Sequence, residues 1–143
     1  MLYKTKPKKF DPGLEIVSCY CFYQATILLL KRHPHKFQSG KWGPPAGKKE
    51  LNEDILSAMR RELKEETGIT VSIKNLQFLY TYYVKYPKYH FMYHVFKTNF
   101  SYRPKIILSP EEHIDYHWVT PSQALQLNLI QDEDQSLKLT FGL

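Results

Sequence analysis

The stretch from Gly47 to Ile69 constrains this chain more than any other part of it. Asn52 can cap a helix that begins near Glu53, Leu56, Ala58, Met59 and Leu63 are good helix formers inside it, and Gly68 supplies the C-terminal stop. On such a helix Glu62 and Glu66 stand one step of four apart and Glu65 three from Glu62, so their carboxylates gather along one side. Like charges at that spacing cost roughly 0.2–0.5 kcal/mol per pair in an isolated helix. A divalent cation would neutralise them, and hard oxygen ligands suit Mg²⁺ or Mn²⁺ rather than zinc. The plain alternative is a solvated helix in which Arg60, Arg61 and Lys64 pair with the glutamates. The Gly47 and Gly68 punctuation and the Glu53 to Arg61 spacing argue against it.

Around this helix the pattern is one of strands. Leu14–Tyr23 and Ala25–Arg32 are rich in Ile, Val, Leu, Cys and Tyr and read as consecutive strands. His33 to Gly47 carries Pro34, Gly40, Gly43, Pro44 and Pro45 and reads as an irregular loop of the length that usually has a function. Val71–Val84 and His90–Phe100 suggest a strand pair turning at Tyr86-Pro87-Lys88, and Ile114–Val119 a last short strand. Thr120-Pro121-Ser122-Gln123 has the makings of a capping box, with a short helix expected over Pro121–Leu127 and a final helical piece over Glu133–Leu139. The order predicts an α/β (α+β) fold, a mixed sheet between helices, in one domain of 143 residues.

Composition adds exclusions. At 43% hydrophobic and 24% charged the chain has a globular balance. Its longest apolar run, Ala25 to Leu30, is far short of the roughly 20 residues a membrane helix needs. No N-terminal apolar stretch resembles a secretory signal, so a cytoplasmic protein without membrane attachment is expected. The net charge of +6 favours encounter with polyanions such as nucleotides or RNA, although Lys4, Lys6, Lys8 and Lys9 also read as a flexible basic tail over residues 1–10. Cys19 and Cys21 would share one face of a strand as buried, reduced thiols.

Written out, the stretch runs Gly47, five residues, Glu53, seven residues, Arg61-Glu62-Leu63, one residue, Glu65-Glu66, one residue, Gly68-Ile69. It resembles the signature box of the Nudix hydrolase superfamily at every specified position, seven identities and two aliphatic sites within 23 residues. The resemblance to small MutT-like members implies a Nudix-type α/β/α sandwich whose loop-helix-loop holds metal and pyrophosphate. By position it implies Glu62, Glu65 and Glu66 as metal ligands, the Ala46 carbonyl as a backbone ligand, Glu62 also as the catalytic base, and an Arg61–Glu53 ion pair fixing helix to loop. Lys48 is expected to steady phosphate or leaving-group charge. Pro45-Ala46-Gly47 stands where many members have Pro-Gly-Gly, so Ala46 must adopt the backbone angles that a glycine adopts there. A further acid comes from outside the box; Glu112, six residues before Trp118, is the candidate ligand or alternative base, with Glu111 its rival.

The reaction implied is Mg²⁺-dependent attack of water on a phosphoanhydride, with Mn²⁺ a substitute. The substrate expected is a nucleoside or deoxynucleoside triphosphate, oxidised forms included, cut to the monophosphate and pyrophosphate. Diadenosine polyphosphate, ADP-ribose and an RNA 5′ end are the alternatives, and a Nudix-fold binding module without hydrolysis is the reading from another class. Arg32, Trp42, Lys48 and Tyr86 are the candidate substrate-binding residues. Tyr80, Tyr82, Tyr83, Tyr89 and Tyr93, with Phe37 and Trp118, are further aromatic platforms, although tyrosine is equally a favoured strand residue.

Overall fold

The computed structural model describes residues 1–143. Ten strand residues, Leu14–Tyr23 (β2), form the axis of a mixed sheet. β2 runs parallel to His90–Phe100 (β7) along its whole length, from Leu14 opposite Phe91 to Tyr23 opposite Phe100. β7 pairs antiparallel with Gln77–Lys85 (β6), and β6 with the short Leu2–Tyr3 (β1). On its other side β2 meets two partners in succession. Ala46–Lys48 (β5) pairs with Ile16–Ser18, and Thr26–Arg32 (β3) pairs with Phe22–Tyr23. β3 in turn carries Trp42–Gly43 (β4) and His113–Val119 (β8).

Alternation along the strands divides the apolar residues between two faces. Tyr20, Ile27, Leu29, Tyr93 and Val95 go to one core, with Ala124 of the short helix Pro121–Ala124 (α2) and Leu137 of Glu133–Phe141 (α3). Val17, Cys19, Cys21, Leu28 and Leu30 go to the other, with Ala58, Met59 and Leu63 of Ile55–Thr67 (α1). The result is the expected sheet covered by helices on both sides. Cys19 and Cys21 share a face, buried and free. No helix is long and apolar enough to cross a membrane. Lys4, Lys6, Lys8 and Lys9 are exposed, while Leu2 beside them is buried in the β1–β6 pairing.

Several expected boundaries move for identifiable reasons. The N-cap of α1 is Asp54, whose carboxylate accepts from Ser57 N, while Asn52 sits two residues upstream at a positive φ of 68° in the turn. The stretch after Gly68 does not enter the sheet at Val71. The Val71 carbonyl accepts from Arg60 Nε instead of a strand, residues 73–75 form a 3₁₀ turn, and Ile69, Val71 and Leu76 anchor this connection to the core beside α1. The loop before the box holds β4 and β5, because β2 and β3 offer it unpaired edges. α2 has the full expected capping box on Thr120 and Gln123 but ends at Ala124, after which Gln126 and Leu127 close tighter i→i−3 turns.

One polar network lies inside the first core. Glu133, buried at the start of α3, accepts hydrogen bonds from the Tyr20 and Tyr93 hydroxyls, and Ser136 Oγ lies 2.9 Å from the Tyr20 oxygen. Burial pushes the Glu133 carboxyl up to about 8, against the two tyrosine hydrogen bonds and with a small addition from Asp134.

Two predictions follow from these elements. Asp54→Ala should cost about 1 kcal/mol in chemical denaturation, the usual worth of a cap, whereas Asn52→Gly should leave stability unchanged or slightly raised; the reverse order would return the cap to Asn52. For Glu133, an unfolded glutamate releases its proton near 4.5 while the folded one keeps it to about 8. The folded state therefore binds more protons in that window, and stability falls as pH rises through it, by up to about 1.4 kcal/mol per unit. Glu133→Gln should remove that slope in denaturation series between pH 5 and 9.

Candidate active site

The site begins with a clamp between α1 and the β5 segment. Arg61 takes both oxygens of Glu53, Nη2 to Oε1 at 2.7 Å and Nε to Oε2 at 3.2 Å, and Nη2 also donates to the Lys48 carbonyl at 2.9 Å. Nη1 reaches Glu62 Oε1 at 2.8 Å and Glu65 Oε2 at 3.4 Å. The Arg61 guanidinium holds the Glu53 carboxyl below its usual range, helped by the Glu50 N–H that donates to Oε1. This is the ion pair expected from the sequence. It lies behind the cleft as support.

Gly47 explains itself by the same contact. A Cβ placed there would overlap the Glu62 carboxyl group, so only glycine lets that carboxylate lie against β5. Gly68 is different: its φ of 75° is left-handed, and it ends α1 by donating to the Lys64 carbonyl. Ala46 does not adopt a positive φ, so its backbone conformation is one that alanine takes without strain.

A cleft of about 810 Å³ opens on this clamp. Its near end is lined by Ala46, Gly47, Glu62, Glu66 and Glu112, flanked by the cationic side chains of Arg32, Lys36 and Lys48. Glu66 is buried and receives one hydrogen bond, from Ala46 N at 2.9 Å. Burial raises its carboxyl well above the ordinary range, the Ala46 bond opposes this, and the charges of Glu62 and Glu112 add to the rise. Glu62 is raised by burial too, against the lowering effect of Arg61. Three carboxylates thus crowd a partly desolvated end with too few donors, an arrangement that fits a divalent cation. Glu66, Glu112 and His113 bring one ligand atom each to within 4.8 Å of one another. His113 is buried, its Nδ1 lacks a hydrogen-bond partner, and burial followed by the charges of Arg32 and Lys36 pushes its imidazole down to about 4.

The far end of the cleft is made of Ile16, Tyr86, Phe91 and Tyr93 with Asp132 and Glu133. The Tyr86 hydroxyl donates to Asp132 Oδ2 at 2.9 Å, which with burial pushes its own titration far up.

Of the residues singled out in the sequence, Ala46, Lys48, Glu62, Glu66, Glu112, Arg32 and Tyr86 meet in this cleft. Glu65 points to the rim, its side chain 58% exposed and bonded to Arg61. Glu111 is exposed outside the cleft, so the acid facing the box is Glu112. Trp42 is a correction. It is 8% exposed, packed in the first core against His117 at 4.6 Å between ring centroids, and does not line the cleft. Its pairing to Lys31 on β3 turns the ring into the protein. Trp118 and Tyr80, Tyr82 and Tyr83 also lie outside the cleft, whereas Phe37, Tyr89 and Tyr93 line it. Lys36, His113, Asp132 and Glu133 were not singled out in the sequence. A histidine directly after Glu112 was the one available signal; nothing in the local sequence marks Glu133 as buried.

With this geometry in view, the family comparison is direct. A family model described as "NUDIX domain" matches residues 14–140. No curated protein sequence matches the chain. Among solved structures it resembles a MutT protein from Methanosarcina mazei Go1 at TM-score 0.77 and 24% identity, over 92% of this chain and 94% of that one. The solution structure of the E. coli ORF135 protein matches at TM-score 0.74 and 24% identity, over 96% and 94%. A bifunctional NMN adenylyltransferase/ADP ribose pyrophosphatase from Francisella tularensis, complexed with AMP and Mn ion, matches at TM-score 0.73 and 23% identity, over 92% of this chain but 42% of that one. At these identities the likeness is one of fold. The family model spans most of the chain, and Glu62 and Glu66 of the box line one cleft, so the protein belongs to the NUDIX domain family and is a pyrophosphohydrolase of that kind.

Proposed function

We propose that the protein is a cytoplasmic, Mg²⁺-dependent pyrophosphohydrolase that cleaves nucleoside or deoxynucleoside triphosphates, oxidised ones included, to the monophosphate and pyrophosphate. The observation that carries this reading is the polarity of the cleft, with carboxylates and cations at one end and aromatic rings with two hydrogen-bonding acids at the other. A phosphate chain fits the first end and a heterocyclic base the second.

Glu62, Glu66 and Glu112, with the Ala46 carbonyl and with Glu65 at the rim, would hold the cation, which when bound would supply charge neutralisation of the diphosphate as the larger catalytic effect. Arg32, Lys36 and Lys48 bind the remaining phosphate charge. Glu62 Oε1 is engaged by Arg61, which leaves Oε2 to accept a proton from the attacking water. Glu112 faces the same space and is the alternative base. Tyr86, Phe91 and Tyr93 offer apolar walls for the base, while Asp132 and Glu133 offer it hydrogen-bonding partners. An ADP-ribose substrate is the second reading, supported by the fold likeness to the Francisella protein, whose description names an ADP ribose pyrophosphatase.

Incubation with Mg²⁺ and a panel of dGTP, its oxidised form, diadenosine polyphosphate, ADP-ribose and triphosphate-ended RNA should release pyrophosphate from the triphosphates first. Cleavage of ADP-ribose alone would reassign the substrate, and silence across the panel would favour a binding module. Glu66→Gln should lower kcat on the order of 100-fold or more without loss of thermal stability, since it removes a buried charge while keeping an acceptor for Ala46 N. Gly47→Ala should lower kcat about 100-fold by displacing the Glu62 carboxylate, with circular dichroism unchanged. Near-normal turnover in either variant would contradict the assigned roles.

A further inference from the structure

His113 stands apart from the glutamates that the box accounts for. It opens β8 opposite Arg32, where the β3–β8 register shifts between Lys31 and Arg32. Irregularities of this kind re-aim side chains out of the alternating pattern. The loop around it is tied down: His113 N and Glu112 N both donate to the Ser109 carbonyl, and His33 N donates to the Glu112 carbonyl at 2.8 Å. The imidazole is 5% exposed, and Nδ1 is buried without a hydrogen-bond partner. A buried polar atom left so is destabilising unless something satisfies it.

Its neighbours suggest what does. The basic side chains nearby, Arg32 and Lys36, carry charge of the same sign as a metal and offer no acceptor. The acceptors are the carboxylates of Glu66 and Glu112, which lie with a ring nitrogen of His113 in one group whose atoms are within 4.8 Å of one another. Ligands about 2.1 Å from a shared ion lie at most about 4.2 Å apart, so the triad would close on an ion by drawing its side chains together. Two carboxylate oxygens and an imidazole nitrogen form a borderline donor set. Such a set favours first-row transition dications, whereas Mg²⁺ prefers oxygen throughout.

We propose that Glu66, Glu112 and His113 form a mixed nitrogen–oxygen site for a transition-metal dication of the Mn²⁺ or Co²⁺ class. It shares Glu66 and Glu112 with the all-oxygen magnesium site and so rests on the reading that these two residues hold cations. Occupancy of this site makes the protein's affinity for Mn²⁺ and Co²⁺ depend on a residue on which its affinity for Mg²⁺ does not.

The test uses the full chain, freed of metal and loaded with Mn²⁺. Pulsed electron paramagnetic resonance should detect a ¹⁴N coupling from a directly bonded imidazole, and His113→Gln should abolish it. The same substitution should weaken Mn²⁺ binding about ten-fold or more and leave Mg²⁺ affinity, read by competition, within about two-fold. If His113→Gln does not fold, the unaltered protein loaded with Co²⁺ decides the matter, since a bonded imidazole gives a strongly shifted, exchangeable N–H proton resonance. Mn²⁺ bound with no ¹⁴N coupling, or Co²⁺ bound with no shifted resonance, would overturn the nitrogen site while leaving the carboxylate reading standing. Failure to bind any divalent cation would overturn both.

Discussion

The site depends on the Arg61 guanidinium. Four glutamates of the box lie close to one another or to β5, and on their own they would drive α1 away from that strand. Arg61 answers with a planar set of donors: two to Glu53, one to the Lys48 carbonyl and two to Glu62 and Glu65. A lysine at this position would provide one point charge and could not span the same partners. The arrangement also divides labour among the acids. Glu53 is spent on the clamp, Glu62 is half-spent with one oxygen free, and Glu66 escapes the clamp altogether, bonded to Ala46 N.

What the clamp joins is set by the sheet. β2 has β7 along one entire edge, and its other edge is divided between β5 at Ile16–Ser18 and β3 at Phe22–Tyr23. That division brings Ala46 and Gly47 out beside the end of β3, where Arg32 and the β8 entrance with Glu112 already lie. α1 packs beneath through Ala58, Met59 and Leu63, so the face carrying Glu62 and Glu66 meets the β5 backbone. The missing side chain of Gly47 is what allows the final approach. Catalytic geometry here is thus a product of strand pairing, an apolar helix face and a single absent Cβ.

Much of this was legible in the sequence because it is written in local spacing. The helix and its Gly68 stop, the alternating faces of β2 and β3 and the Thr120 capping box each involve residues close in the chain, whereas the Arg61–Glu53 pair was expected only from the resemblance to the Nudix box. What was illegible depended on pairing between distant segments. Asn52 and Asp54 are both good caps, and only the turn that places Asn52 at positive φ decides between them. Val71 is β-branched and reads as strand, yet Arg60 takes its carbonyl. Trp42 reads as a platform in a loop, yet its pairing with β3 turns it inward. Glu133 reads as an ordinary first-turn acid of α3, and only the tyrosines arriving from β2 and β7 make it a buried group.

Those tyrosines give the cleft its electrostatic asymmetry. At the box end Glu62, Glu66 and Glu112 repel one another in a partly desolvated space; Arg61 engages one oxygen of Glu62, while Glu66 has only the Ala46 N–H as a hydrogen-bond donor. At the far end Glu133 is buried as deeply, but two hydroxyls donate to it and the like charge of Asp134 adds little. The first end is therefore the one that would gain from a cation and, on the proposed reading, from a polyphosphate held through it; the second, walled by aromatic rings, would suit a flat partner able to hydrogen-bond. The same residue type, placed against a helix face in one case and among tyrosines in the other, gives the two ends of the cleft different electrostatic characters, and the proposed seating of phosphate at one and base at the other rests on that difference.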